Sequence, residues 1–160
     1  AMAKLITPAL MREIRGQFRL DWTGIHGAAH WARVRYQGVW LARQLGADVR
    51  IPSIFAVLHD SQRQNDGHDP QHGPRAAEYA AWARKRGLFE LDDAAFELLK
   101  IACIGHSDGH TQADVSVQVC WDADRLDLGR VGIYPDSRRL CTSPAKHAGV
   151  IERAWHWSTR

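Results

Sequence analysis

The segment IFAVLHD, residues 54–60, is an apolar run that ends in an adjacent histidine and aspartate. Pro52 suits the first turn of a short helix that carries this run towards His59. A histidine beside a carboxylate offers a neutral nitrogen and an anionic oxygen, and borderline divalent cations accept both. The segment therefore predicts a buried helix that ends in two candidate metal ligands, His59 and Asp60.

Helical periodicity dominates the rest of the chain. Residues 28–45 place apolar side chains at three- and four-residue steps, and Gly46 is suited to cap that helix. No segment shows the apolar–polar alternation that is typical of a half-buried strand. We therefore predict an all-α fold. The other expected helices cover about residues 75–86, 93–105, 117–128 and 144–157.

The segment between Asp60 and Arg75 is rich in Asp, Asn, Gly, Pro and Gln. This composition predicts a long polar loop, and long loops in compact domains are often functional. Pro74 is expected to open the alanine-rich helix that follows the loop, and Gly87 is expected to stop it.

The composition is that of an ordinary globular protein, with 160 residues, 45% hydrophobic and 24% charged. This length fits one domain over residues 1–160. The net charge of +3 comes from scattered basic residues, which favours a small anionic substrate and gives only weak support to nucleic-acid binding. The composition leaves the oligomeric state open.

Several features indicate a cytoplasmic protein. No apolar stretch approaches the roughly 18 residues of a membrane span, and no secretory signal is recognisable at the N-terminus. The three cysteines, Cys103, Cys120 and Cys141, have no C-x-x-C spacing, so reduced thiols are expected and a cysteine-based metal site is not.

Further candidate ligands lie on both sides of the His59–Asp60 pair. Asp124 falls on the same helical face as the apolar Val117 and Trp121, where a carboxylate without a partner would be costly. His30 shares a face with Val34. Two histidines and two carboxylates form a mixed nitrogen and oxygen shell that suits Mn²⁺, Fe, Co²⁺, Ni²⁺ or Zn²⁺.

Three motifs occur in order: HWARV at residues 30–34, His59–Asp60, and DADRLD at residues 122–127. They resemble the H…HD…D motifs of the HD superfamily of metal-dependent phosphohydrolases, over about residues 22–134. The last motif, followed by GRVG at residues 129–132, is especially similar to one bacterial HD group of poorly defined substrate. The resemblance implies a single-domain helical bundle. The residues implied around one metal are His30, His59, Asp60 and Asp124.

The resemblance also raises the possibility of a second metal. Some HD proteins hold two metals that are bridged by the aspartate of the HD pair, with further histidines later in the chain. His72 and His106 are the candidates here, with His68 and His110 as substitutes. One ion or two therefore remain open. His26 lies one turn before His30 and is an alternative ligand. We prefer His30, because Arg33–Val34 follow it as in the family, and we expect His26 to support the site.

The chain offers several polar groups for catalysis. A metal ion lowers the pKa of its bound water, and Asp66, or Asp69 in the same loop, is a candidate to take the proton. Some phosphohydrolases of the family carry a glutamate three residues after the HD aspartate, where this chain has Arg63. A guanidinium matches phosphate oxygens in pairs. The candidates for phosphate binding are Arg33, Arg63, Arg75 and Arg125.

Three functions are consistent with these residues. The leading hypothesis is a metal-dependent phosphohydrolase that cleaves a phosphate monoester or diester, such as a nucleotide, with a metal-activated water. A di-iron oxygenase is the second, because a branch of the HD superfamily with a similar ligand order activates oxygen. The third is a non-catalytic binding module with a structural metal.

Overall fold

The computed structural model describes residues 5–160, which form α-helices and no β-strand. This confirms the predicted all-α fold. The prediction of a domain over residues 1–160 includes residues 1–4, which lie outside the described residues. The helices are α1 (Pro8–Gln17), α2 (Ala28–Leu45), α3 (Arg50–Leu58), α4 (His72–Lys85), α5 (Asp93–Gly105), α6 (Val115–Leu126), α7 (Ser143–Lys146) and α8 (Ala148–Ser158). Two 3-10 turns, Leu128–Val131 and Ser137–Arg139, lie between α6 and α7.

Helix α3 lies at the centre of the bundle. Every residue from Ile51 to Leu58 is buried, and the helix contacts α1, α2, α4, α5 and α6. A helix that is apolar on all sides must be covered on all sides. His59, which caps its C-terminus, and the following Asp60 are consequently placed in the interior of the bundle.

The helix ends follow local capping rules. Helix α2 has the predicted bounds, and Gly46 adopts the left-handed conformation (φ 66°), so that its N–H bonds to the carbonyl groups of Ala42 and Arg43. Asp92 caps α5 by accepting a hydrogen bond from the N–H of Ala95. These signals are local, which is why the sequence predicts them well.

The next helix begins before Pro74, which was predicted to open it. Helix α4 begins at His72, so Pro74 is its third residue and the preceding loop is shorter than expected. Gly73 allows this start, because a Cβ there would lie 2.5 Å from the carbonyl oxygen of Cys103. The close packing of α4 against the end of α5 is a tertiary contact that local capping rules do not reveal.

The expected C-terminal helix at about residues 144–157 is two helices. His147 is extended (ψ 129°), and its Nδ1 accepts a hydrogen bond from the N–H of Gly149 at the start of α8. It thus ends α7 and caps α8. Helix α8 places Val150 and Ile151 in an apolar cluster with Leu41 and Val119, which joins α8 to α2 and α6.

Helix α1 was not predicted. Thr7 caps it by accepting from the N–H of Leu10, and Pro8 occupies its first turn. Leu10 and Ile14 are buried against the central cluster. Of the helices in residues 5–160, none is long and apolar enough to cross a bilayer.

Candidate metal centre

Five helices bring together the six predicted metal ligands. His30 comes from α2, His59 and Asp60 from the end of α3, and His72 from the first residue of α4. The remaining two are His106, which caps the C-terminus of α5, and Asp124 of α6. The side chain of Asp124 is 15% exposed, and the other five residues are buried.

The Nδ1 atoms of all four histidines face oxygen acceptors. His30 Nδ1 lies 2.6 Å from Asp127 Oδ2, and His59 Nδ1 lies 3.0 Å from the carbonyl oxygen of Ala56. The Nδ1 atoms of His72 and His106 face the carbonyl oxygens of Asp69 and Cys103. Because a carbonyl oxygen only accepts, Nδ1 of His59, His72 and His106 carries the proton. The carboxylate of Asp127 likewise favours a proton on Nδ1 of His30. In each neutral ring the lone pair is therefore on Nε2.

These Nε2 atoms approach one another in two pairs. Nε2 of His30 lies 3.0 Å from Nε2 of His59, and Nε2 of His72 lies 2.8 Å from Nε2 of His106. Two lone pairs at such distances repel each other unless a proton or a cation lies between or beside them. The arrangement is what a metal shell of neutral imidazoles requires.

Asp60 connects the two histidine pairs. Its Oδ2 lies 3.3 Å from His30 Nε2 and 3.4 Å from His59 Nε2. Its Oδ1 lies 3.3 Å from His72 Nε2 and 3.5 Å from His106 Nε2. The residues thus form two groups of potential ligands that share one carboxylate, with the ligand atoms of each group within 4.8 Å of one another.

Asp124 adjoins the group of His30 and His59. Its Oδ1 lies 3.3 Å from His30 Nε2 and 3.5 Å from His59 Nε2, yet it is buried without a hydrogen-bond partner. A buried carboxylate oxygen that lacks a partner is costly. A cation bound between these side chains would satisfy it, so the residues present fit a divalent metal.

The electrostatics of the cluster favour positive charge. Burial alone would raise the pKa of Asp60 and Asp124, but the neighbouring histidines outweigh it and hold both pKa values well below their usual range. Burial would likewise lower the pKa of His59, whereas the charges of Asp60 and Asp124 raise it to about 10. The carboxylates are ionised, and a metal would displace a proton from His59.

Packing fixes the orientation of the imidazole rings. Phe55 stacks on His59 with ring centroids 4.8 Å apart and an interplanar angle of 18°. The same phenyl ring meets His106 edge-on at 5.8 Å. Phe55 thereby touches one histidine of each pair, so the apolar run of α3 sets the relative positions of the two groups.

Asp127 is a functional candidate that the sequence reasoning missed. It is 3% exposed, and besides holding His30 it pairs with Arg33, whose Nε lies 2.7 Å from Asp127 Oδ1. Arg33 was predicted to bind phosphate, but the structure places its guanidinium on Asp127. The available signal was its spacing, since Asp127 follows Asp124 by three residues and thus lies one helical turn away.

The loop before α4 carries two further catalytic candidates. Arg63 lies beside the cluster, with its Nε 3.3 Å from Asp60 Oδ1, while Asp66 Oδ1 lies 2.8 Å from His26 Nδ1. Arg63 also lines the cavity next to the cluster, whereas Asp66 is not among the lining residues. Asp66 therefore joins the loop to His26, and its role as a base stays a prediction.

Other candidate residues lie apart from the cluster or have a partner. Arg75 is paired with both carboxylate oxygens of Asp69 at 2.7 Å, which braces the loop. His68 and His110 are exposed. Neither belongs to the two potential ligand groups found among residues 5–160.

A cavity of about 730 Å³ opens beside the cluster. Asp60, His72, His106 and Asp124 form part of its wall. A ligand in this cavity can reach both groups of potential ligands, because the shared Asp60 belongs to the lining. The cluster is thus accessible from outside, unlike a closed structural metal site.

Comparison with known proteins agrees with this geometry. The chain matches no protein-family model and no curated protein. A search of solved structures finds similarity to the crystal structure of a predicted HD superfamily hydrolase from an uncultured Thermotogales bacterium. The match has a TM-score of 0.68 and 26% sequence identity, and it covers 92% of this chain and 86% of the other. This similarity and the motif order H…HD…D both support the HD superfamily as the family of this chain.

Proposed function

We propose that the protein is a metal-dependent phosphohydrolase in which Asp60 bridges two divalent cations. One observation carries the proposal: each carboxylate oxygen of Asp60 faces a separate pair of histidine Nε2 atoms. The similarity to a predicted HD superfamily hydrolase supports the reaction class. The donor set suits Mn²⁺, Fe, Co²⁺, Ni²⁺ or Zn²⁺.

The residues of the chain divide the work in this proposal. His30, His59 and Asp124 would hold one cation, and His72 and His106 would hold the other. When bound, the cations polarise the phosphoryl group and lower the pKa of water. Arg63, beside Asp60 in the cavity wall, is placed to bind a phosphoryl oxygen.

Asp127 has a positioning role in the same proposal. It keeps the proton of His30 on Nδ1 and so leaves Nε2 free for the metal. Arg33 holds Asp127 in place from the other side. We thus infer that Arg33 acts through Asp127 and not by contact with the substrate.

Hydrolysis of a generic phosphoester tests the proposal. Purified protein with Mn²⁺ or Co²⁺ is expected to cleave p-nitrophenyl phosphate or its bis-ester, and the double variant His59→Ala/Asp60→Ala is expected to lose this activity. His156→Ala serves as a control, because His156 is exposed and outside the cluster. Activity that survives the double substitution would contradict the proposal.

A di-iron oxygenase is the second candidate. Its support is that six residues converge in the same order along the chain as the ligands of the HD oxygenase branch. These residues are His30, His59, Asp60, His72, His106 and Asp124. Iron content with a visible absorption band, and oxygen consumption with an organophosphonate or polyol, would favour it. The cavity beside the cluster supports an enzyme of either kind over a non-catalytic module.

A further inference from the structure

One wall of the cavity beside the cluster is positively charged. It is formed by residues between the end of α6 and the second 3-10 turn. Arg125, Arg130 and Arg139 line the cavity, and we call these three residues the arginine wall. None of the three forms an ion pair with a carboxylate of residues 5–160. Arg63, by contrast, lies at ion-pair distance from Asp60.

Two members of the arginine wall, Arg125 and Arg130, are held by oxygen or sulfur atoms that carry no compensating charge. Arg125 donates to the carbonyl oxygen of Arg139, and its Nη2 is buried without a partner. Arg130 donates to the carbonyl oxygens of Ile25 and Asp127. Carbonyl groups fix the position of a guanidinium but leave its positive charge uncompensated.

The carboxylates that line the cavity form no ion pair with the arginine wall, although Asp136, the partner of Arg138, also interacts with the charge of Arg139. Asp60 and Asp124 face the histidines of the cluster, and Asp136 pairs with Arg138 at 3.0 Å. A buried guanidinium nitrogen that lacks a partner costs free energy unless a ligand satisfies it. The cavity therefore has a positively charged side at the arginine wall.

We propose that the arginine wall binds a second anionic group of the substrate, so that the preferred substrate is an organic phosphate with a further phosphate or carboxylate. This inference rests on the proposed function, in which the cations and Arg63 take the phosphoryl group that is cleaved. The arginine wall remains for another anion, since none of its members pairs with Asp60 or Asp124.

The same cavity offers an apolar surface for the organic part of such a substrate. Ile133 and Tyr134 line it, and they are 53% and 49% exposed. The hydroxyl group of Tyr134 donates to Glu152 at 2.6 Å, which holds the ring at the cavity rim. A ligand with two anionic groups and an apolar part matches a cavity that is lined by the metal-ligand cluster, the arginine wall and these two side chains.

Matched pairs of ligands test the inference. Isothermal titration calorimetry, with and without Mn²⁺, would compare adenosine 3′,5′-bisphosphate with adenosine 5′-monophosphate, and fructose 1,6-bisphosphate with fructose 6-phosphate. In at least one pair the ligand with two phosphate groups is expected to bind about tenfold more tightly or better. Hydrolysis of the same four compounds is measured in parallel.

Substitutions assign the preference to the arginine wall. Arg125→Gln and Arg139→Gln are expected to abolish the advantage of the second phosphate and to leave binding of the monophosphate nearly unchanged. Arg139 is exposed, so Arg139→Gln is the variant that leaves the fold intact. Arg12→Gln in α1 makes the same charge change on an exposed residue outside the cavity and is expected to retain the preference.

The outcomes separate the two proposals. Equal binding within both pairs, or a preference that Arg139→Gln and Arg125→Gln leave unchanged, would overturn the arginine wall as a binding site. Tight binding of a bisphosphate without any hydrolysis would overturn the phosphohydrolase and keep the anion site. Hydrolysis of all four compounds with no preference in binding would overturn the anion site and keep the phosphohydrolase.

Discussion

At the scale of single residues, the candidate metal centre depends on where four imidazole protons are located. Each Nδ1 faces an oxygen acceptor, so each Nε2 is left to a metal. Asp124 was predicted because a carboxylate on an apolar helical face needs a partner. Asp127 was not predicted, since a polar residue at a helix end is ordinary in sequence and its contact with His30 spans 97 positions.

Asp127→Asn tests the positioning role of that carboxylate. The substitution keeps the size of the side chain but removes the charge that holds His30 and pairs with Arg33. Metal affinity is expected to fall by about tenfold or more, as is typical when the partner of a ligating histidine is lost. Competition with a chromophoric chelator measures the affinity.

Asp48→Asn is the matched control for Asp127→Asn. It breaks another aspartate–arginine pair, between Asp48 and Arg50 at 2.7 Å, outside the cluster. Metal affinity is expected to stay at the wild-type value in this variant. If Asp127→Asn also binds metal as tightly as the wild type, Asp127 does not hold His30 in a metal-binding orientation.

At the scale of helices, the sequence predicted most of the helix ends that local capping decides but not those that depend on tertiary packing. Gly46 acts as the predicted cap of α2, and Asp92 caps α5 at the start of its predicted range, because capping is decided within a few residues. The break at His147 was missed, since histidine is not a usual N-cap. The early start of α4 depends on its packing against α5.

Gly73→Ala tests that packing. The added Cβ would lie 2.5 Å from the carbonyl oxygen of Cys103, the same oxygen that holds His106. We expect α4 and α5 to move apart, with a loss of about 1–3 kcal/mol in the free energy of unfolding. Binding of the second metal, by His72 and His106, should weaken. Urea unfolding and metal titration measure the two effects.

Gly16→Ala provides the control for Gly73→Ala. A Cβ at Gly16 in α1 meets nothing within 4 Å. Because alanine favours the helix over glycine, stability is expected to rise by up to about 1 kcal/mol, with unchanged metal binding. If Gly73→Ala behaved like Gly16→Ala, the contact between α4 and α5 would not determine the second metal position.

At the scale of the whole molecule, the order of the motifs predicted the bundle but not the pairing inside it. His30 and His59 are 29 positions apart, and His72 and His106 are 34 apart, yet each pair meets at Nε2. Residue types and periodicity indicate that such histidines are candidates. Only the packing of five helices around α3 determines which of them share an oxygen of Asp60.

The arginine wall likewise emerges only from the folded chain. Arg125 was a candidate for phosphate binding on the basis of its residue type, whereas Arg130 and Arg139 were not singled out. All three line one cavity, because the end of α6 and the segment after it share this cavity with the cluster. The 3-10 turns of this segment have no strong periodicity, so sequence patterns gave no indication of a shared surface.

The central claim is that Asp60 bridges two cations, and metal content tests it most directly. Elemental analysis of protein purified without a chelating column is expected to give two transition-metal ions per chain. His72→Ala/His106→Ala, verified as folded by circular dichroism, should retain one. A wild-type protein that binds a single ion, or none after incubation with Mn²⁺, Fe²⁺, Co²⁺, Ni²⁺ or Zn²⁺, would contradict the claim.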